Sequence, residues 1–200
     1  GVSSHTIYIE GLNTLVKGTI DGFGYPIPSI VEENIQAKIR GTTLLSNIAQ
    51  MVGGIFTNNG NKVELFLGYF TLYGDAGGAI APLSDLTKSE VYQMGEYVNE
   101  VYGRVIIPKK LFPNNIYQFV QGQIEPSAEL KEDQVDPIKV GYHCALVEAL
   151  MDYQKVSPVT ILNWWLSRTL EDNLGISLEL LERHGVAYAP EFLKDLEWFL

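Results

Sequence analysis

Four short stretches carry side chains able to hold an anion or move a proton. In ENIQAKIR (33–40), Asn34 and Lys38 lie four residues apart, so a helix puts them on one face, with Gly41 close behind. NNGNKVE (58–64) sets amide side chains and one carboxylate, Glu64, at a polar turn. YFTLYGDAGGAIAP (69–82) has glycines at 74, 77 and 78, where main-chain N–H groups can crowd an anion with no Cβ in the way. LTKSE (86–90) places Lys88 in the first turn of a helix, beside free backbone amides. Taken from the residues alone, this chemistry is an anionic-ligand site, with phosphate the first candidate.

Each stretch also has an ordinary structural reading. Lys38 and Arg40 suit the solvated face of an amphipathic helix. Glu64 suits a first-turn carboxylate facing the helix dipole. Glycines often mark a tight loop and nothing more, and neither a complete G-x-G-x-x-G nor G-x-x-x-x-G-K-[ST] occurs. Lys88 is the hardest to dismiss, because a cation in a first turn opposes the dipole and requires a compensating contact. For the histidines the ordinary reading leads. His143 stands mid-helix beside Cys144, pointing about 100° away from it, His184 precedes Gly185 and complements a helix end, and His5 lies near the amino end. No two are spaced as zinc ligands. Trp164, Trp165, Trp198 and Phe199 read as core or interface aromatics.

The elements that must position these residues read as α/β first and helical later. HTIYIE (5–10) alternates apolar and polar residues and predicts a short strand. DGFGYPIPS (21–29) is loop. Helical periodicity runs from Glu33 through Ile35, Ile39, Leu45, Ile48 and Val52, and Gly53 and Gly54 stop it. GIFT (54–57) predicts a buried strand and Lys62 a helix start. Thr87 and Glu90 form a capping box opening a helix through Tyr102, its buried face Val91, Met94, Val98 and Val101. A loop with two prolines and a charge run (124–137) precedes helices over 137–154, from Ser157-Pro158, near 177–184 up to Gly185, and from Pro190. This order predicts a partial parallel sheet flanked by helices, with ligands at the carboxyl ends of the strands. Residues 1–137 form the α/β portion and 138–200 the helical one. The glycine loop at 74–80 is expected to act as a closing lid.

Composition bounds the function classes. Two hundred residues with 46% apolar and 19% charged content describe a soluble globular chain able to bury a core. A net charge of −10 argues against a nucleic-acid groove, although local donors can still hold an anion. A single cysteine, Cys144, rules out an intrachain disulfide framework and suits a reducing compartment. Apolar runs fall far short of the ~20 residues of a membrane span, and GVSSHTIYIEG is no secretory signal. The expectation is a cytoplasmic chain with no membrane and no nucleic-acid partner. A strand so near residue 1 and a helix still apolar at Leu200 point to a piece of a longer chain.

Together the stretches resemble the NAD synthetase family. Glu33–Arg40 stands where its members carry E-N-I-Q-A-R-x-R, and Asn59-Gly60-Asn61-Lys62-Val63-Glu64 where they carry T-x-N-K-S-E. GYFTLYGD (68–75) looks like G-Y-x-T-x-Y-G-D, APLSDLTKSEVY (81–92) like A-P-I-x-D-L-x-K-x-x-V-Y, and EPSAEL (125–130) like a P-[ST]-A-[ED]-L loop. Order and spacing hold from residue 30 to 137 and fade beyond. Details of TLYGD and A-G-G-x-x-A-P look more like the glutamine-dependent, two-domain members.

The resemblance implies a fold, a reaction and roles. The fold is that of the adenine nucleotide alpha hydrolases and ATP pyrophosphatases. The reaction uses ATP and Mg²⁺ to adenylate deamido-NAD, after which ammonia displaces AMP. Lys88 would be the catalytic, phosphate-facing cation, and Asn59 and Ser127 would join it at ATP. Asn34, Lys38, Tyr69 and Thr71 would border deamido-NAD, while Glu64 would hold either metal or substrate. The family also implies a homo-oligomer and, in glutamine-dependent members, a glutaminase domain. Departures are Lys38 for Arg, Asn59 for Thr and Val63 for Ser; the first loses a bidentate fork, the others a hydroxyl each. The family's S-G-G-x-D-S pyrophosphate loop does not occur in the 200 residues, so the chain alone is expected to be inactive. A degenerate synthetase-like module kept for dimerisation is the alternative.

Overall fold

The computed structural model describes residues 4–127, 135–151 and 155–200. They fall into two units, one built on Gly1–Gly60 and Tyr69–Leu83, the other on Asn61–Gly68, Ser84–Ser127 and Val135–Leu200.

The first unit opens with helix α1 (Glu10–Asp21). Asn13, Val16, Lys17 and Ile20 recur at three- and four-residue steps and make its half-buried stripe, and Lys17 pairs with Glu32 at 2.5 Å. The strand expected at 5–10 is therefore a correction: residues 4–9 are irregular and Glu10 is already helical. Alternation makes a strand only where a sheet covers one face, and Ile7 and Tyr8 are exposed.

Helix α2 (Ser29–Lys38) starts four residues before the periodicity does, directly after Pro28, and continues into a π-helical stretch, Ile39–Leu45, and then α3 (Ser46–Met51). In the π stretch the Ser46 N–H reaches back five residues to the Gly41 carbonyl. Gly41 explains why the chain is built this way here. The Gly74 carbonyl sits where a Cβ on residue 41 would stand. The expected stop holds: Gly53 adopts φ 67°, and the Gly54 N–H bonds the Ala49 carbonyl at 2.8 Å.

No strand forms among the described residues, so the partial parallel sheet appears as one bridge, Thr57 to Ile80. The Asn58 N–H bonds the Ile80 carbonyl at 2.9 Å and the Ala79 N–H the Phe56 carbonyl at 3.0 Å. The next rung would need a donor from residue 82, which is Pro82. Its missing N–H stops the ladder.

The second unit contains α4 (Lys62–Leu67), α5 (Lys88–Val101), a 3₁₀ turn (Lys109–Leu111), α6 (Tyr142–Met151), α7 (Pro158–Leu166), α8 (Leu170–Leu174), α9 (Leu178–Arg183) and α10 (Ala189–Phe199). Expected caps recur. Asn61–Glu64 and Thr87–Glu90 form reciprocal capping boxes, and Ser157 caps α7 with Pro158 at its first position. Helix α6 starts later than the predicted 137, after Pro137 and Gly141; Gly141 has φ 84° and the Tyr117 ring occupies its Cβ space. Residues 152–154 of that predicted helix lie outside the described residues, as does most of the charge run.

The buried face of α5 also differs from expectation. Met94 and Val101 are exposed, while Ser89 and Gly95 are buried. The Phe112 ring packs on Gly95, and the Asn99 side chain accepts from the Ile106 and Ile107 N–H groups at 2.7 and 2.8 Å. The segment after α5, rather than the helix's own apolar stripe, sets which side faces inward.

One core gathers this unit. Val63, Leu146, Ile161, Phe192 and Phe199 are all essentially buried in it; complete burial of such a side chain is worth about 2 kcal/mol. The core also encloses a polar clasp. His143 donates from Nε2 to Asp195 Oδ2 at 3.0 Å, its Nδ1 accepts the Lys139 N–H at 3.1 Å, and Lys139 Nζ pairs with Asp195 Oδ1. Burial lowers the His143 pKa against the pull of Asp195. Burial alone would raise Asp195, but hydrogen bonds from His143 and Lys139 outweigh it and hold it low. His143 is thus a core residue, as its mid-helix position suggested. Among the described residues no helix is long and apolar enough to cross a membrane.

Candidate functional site

Two of the expected site residues meet in the first unit. Thr71 is buried at the start of the glycine loop, and its Oγ1 donates to Asn34 Oδ1 at 2.6 Å, joining residues 37 apart in sequence. The loop itself is tied down. The Thr71 N–H bonds Asp75 Oδ1 at 2.9 Å, Asn58 Nδ2 bonds the Ala76 carbonyl at 3.1 Å, and the Asn58 N–H occupies the Cβ space of Gly78, at φ 147°. Loop 74–80 is pinned at Gly41 and Asn58, not free-standing as a lid would be. Tyr73, at φ 62°, shows that glycine was not the only residue bent to this shape.

The other residues of this group are placed as follows. Lys38 is exposed and, with Asn34, Val16, Ile20, Val31 and Ile35, lines an apolar cleft within the unit. Arg40 is exposed, as the solvated-face reading expects. Asn59 is exposed and accepts from Thr57 Oγ1 at 3.0 Å; Tyr69 is half-buried. Asn58, buried and bonded to the glycine loop, is the structural amide of NNGN.

The second unit brings together Glu64 and Lys88. The carboxylate divides its work: Oε2 accepts the Asn61 N–H at 2.9 Å as part of the cap, and Oε1 faces Lys88 Nζ at 3.7 Å. Its ordinary reading, a first-turn carboxylate, and its site reading therefore both hold. Lys88, 24% exposed, finds in Glu64 the contact that its position against the dipole required. At 3.7 Å this is an ion pair without a hydrogen bond, and the ammonium keeps donors for a ligand.

A pocket within this unit is lined by Glu64 and Lys88 and also by Glu125, Asp136, Arg183 and His184, with Tyr117 and Phe119 as its aromatic wall. Arg183 Nη2 stands 3.8 Å from Glu125 Oε1, and its Nε is buried with no hydrogen-bond partner among the described residues. His184 Nε2 donates to the Val140 carbonyl at 2.9 Å, and burial lowers its pKa to about 4 despite that bond. It is thus neutral at neutral pH. The expected helix-end charge at His184 is corrected to a neutral donor. Behind Glu64, the Tyr92 phenol is held well above its usual pKa by burial and then by the negative charge around it from Cys144, Asp136, Glu125 and Glu64.

Ser127 is half-buried, next to pocket residues Glu125 and Pro126; residues 128–130 of that motif lie outside the described residues. Sequence reasoning missed Glu125, Asp136, Arg183 and His184 as pocket residues. Arg183 read as the last-turn cation of a short helix, and only tertiary packing carries it to the pocket. Among the described residues, no three His, Cys, Asp or Glu side chains gather closely enough to hold a metal. Glu64 therefore fits magnesium only as a single carboxylate completing a phosphate-bound ion.

Comparison with known proteins gives consistent findings. A family model described as NAD synthase matches residues 1–174. The glutamine-dependent NAD(+) synthetase of Thermotoga maritima is 37% identical over 126 residues, covering 63% of this chain and 20% of that protein. Its counterpart from Xanthomonas campestris pv. campestris is 36% identical over 137 residues, covering 68% of this chain and 23% of the relative. The chain thus spans about a quarter or less of the length of these relatives. Among solved structures, NMN synthetase from Francisella tularensis superposes with a TM-score of 0.57 at 24% identity, over 84% of this chain and 63% of that one, a likeness of fold.

Proposed function

The chain belongs to the NAD synthase family, and from that premise we propose that it contributes the adenylation chemistry of an ATP-dependent ligase converting deamido-NAD to NAD. In this reading the nicotinate carboxylate attacks the α-phosphorus of ATP, pyrophosphate leaves, and ammonia then displaces AMP to form the amide. Lys88 is the catalytic cation that follows the developing phosphate charge, a role that needs a preorganised donor in a partly dry site. Ser127 and Asn59 serve the nucleotide. Asn34, Lys38, Tyr69 and Thr71 border deamido-NAD, with Thr71 held in place by its bond to Asn34. Magnesium, when bound, would share the phosphate charge, with Glu64 as its protein carboxylate. The relatives named glutamine-dependent support ammonia delivered by a glutaminase domain.

The observation carrying this reading is the Lys88 ammonium held 3.7 Å from Glu64 on a charged pocket, in the part of the chain matched by the family. In the full natural protein, Lys88→Ala is expected to slow pyrophosphate release about 100-fold while deamido-NAD affinity stays unchanged. Undiminished pyrophosphate release in that variant removes Lys88 from the chemistry. The 200 residues contain no S-G-G-x-D-S, so they should form no NAD alone; ammonia-dependent NAD formation by the purified chain would overturn this.

A second reading, a module retained for self-assembly, draws on the apolar side chains the first unit leaves in the open. Leu15, Phe23, Met51 and Val52 are 66, 75, 79 and 70% exposed. Sedimentation at micromolar concentration tests it, and a monomer there ends it.

A further inference from the structure

The reading above uses one cation of the second unit's pocket and leaves the other unexplained. Arg183 follows the residues matched by the family model, in the last turn of α9, yet it lines the same pocket as Lys88. Both cations are loosely held, Lys88 by Glu64 at 3.7 Å and Arg183 by Glu125 at 3.8 Å, each beyond hydrogen-bonding distance. The Arg183 Nε is buried with no hydrogen-bond partner among the described residues, a state that costs free energy until something accepts from it.

The charge balance of the pocket narrows what that acceptor is. Lys88 and Arg183 bring two positive charges, while Glu64, Glu125 and Asp136 bring three negative ones, and His184 is neutral at neutral pH. A bare anion entering would meet a net negative surround. A magnesium–polyphosphate complex would not, since its metal faces carboxylates while its oxygens face the cations. A planar guanidinium also offers phosphate two parallel donors, which ammonium cannot.

On the premise that this pocket is the nucleotide end of the ligase, we propose that Arg183 is its second phosphate-binding residue. It releases Glu125 when magnesium-bound polyphosphate arrives and takes a phosphate oxygen in its place. The site thus draws on a residue of α9, outside the stretch that carries the family motifs.

Calorimetric titration of magnesium pyrophosphate, and separately magnesium-ATP, into the full natural protein tests this. Arg183→Ala should weaken both about tenfold, Arg183→Lys should recover part of the loss, and omitting magnesium should weaken binding to the unsubstituted protein. The decisive variant is Glu125→Gln. If Arg183 serves phosphate, removing its competing carboxylate tightens pyrophosphate binding. If Arg183 merely anchors Glu125, Glu125→Gln weakens binding as Arg183→Ala does, and the proposal fails. Lys88→Ala separates the two levels. Binding lost in Lys88→Ala but kept in Arg183→Ala defeats only the role of Arg183, whereas binding kept in both defeats the nucleotide reading of the pocket.

Discussion

Among the described residues the first unit buries four apolar side chains, Ile35, Ala37, Ile39 and Ala49, whereas the second buries sixteen in one cluster. The first compensates with backbone approach and polar ties. Gly41 admits the Gly74 carbonyl, Asn58 holds Ala76, and Thr71 bonds Asn34. The second uses apolar volume, with Trp165 stacked on Phe192 at 4.8 Å and Phe66 on Phe199 at 5.1 Å. Its charged pocket is therefore mounted on a thick core, while the Asn34–Thr71 pair depends on fitted main chain. Two positions of similar expected function thus depend on different physics, and substitutions should separate them.

The largest effect should come from the core-rich unit. Phe192→Ala removes a fully buried ring and is expected to cost about 3–5 kcal/mol, read by urea unfolding. Ile35→Ala, in the thin core, should cost about 2 kcal/mol; equal losses would erase the contrast. Next comes Gly41→Ala, whose new methyl meets main chain rather than a yielding side chain. We expect about 2 kcal/mol of overpacking cost, with faster amide exchange confined to loop 74–80. A Gly41→Ala protein with unchanged exchange would show that the loop does not depend on this approach. Thr87→Ala should cost about 1–2 kcal/mol, because its hydroxyl both caps α5 and bonds Glu148 at 3.2 Å.

The smallest effect is a pH dependence of the second unit. His184 has a pKa near 4 in the fold against 6.5 ordinarily, so the unfolded chain takes up the proton first as pH falls. Stability from this group is complete above pH 6.5 and declines down to about pH 4. Burial sets the shift, with the Arg183, His143 and Lys139 charges adding to it and the Val140 carbonyl opposing it. His184→Gln, which keeps a donor for that carbonyl, should flatten the thermal midpoint between those pH values; an unchanged slope would assign the dependence to His143.

Local signals were legible wherever the chemistry was local. The Thr87–Glu90 and Asn61–Glu64 boxes, the Gly53 stop and the Ser157-Pro158 start involve residues within a turn of one another, and each forms. What failed needed a partner far along the chain. HTIYIE alternates without a sheet to cover it, Gly95 faces inward because Phe112 lies on it, and α1 stayed hidden behind Gly11 and Gly18, which lower helix propensity. The site divides similarly. Glu64 and Lys88 were readable as a first-turn carboxylate and a misplaced cation, whereas Arg183 carries no local mark of its pocket.

The π stretch at Ile39–Leu45 has a consequence for how this chain can change length. A wider turn accommodates one residue more than an α-helix would over the same rise, so it offsets the angular phase between Asn34 and Lys38 before it and Ala49 after it. Deleting any one residue there would let the helix run on regularly, but with everything downstream rotated by about 100°. Gly41 would then swing away from the carbonyl it accommodates. Insertions and deletions in this segment are thus tolerable only in compensating pairs, however exposed the residues involved.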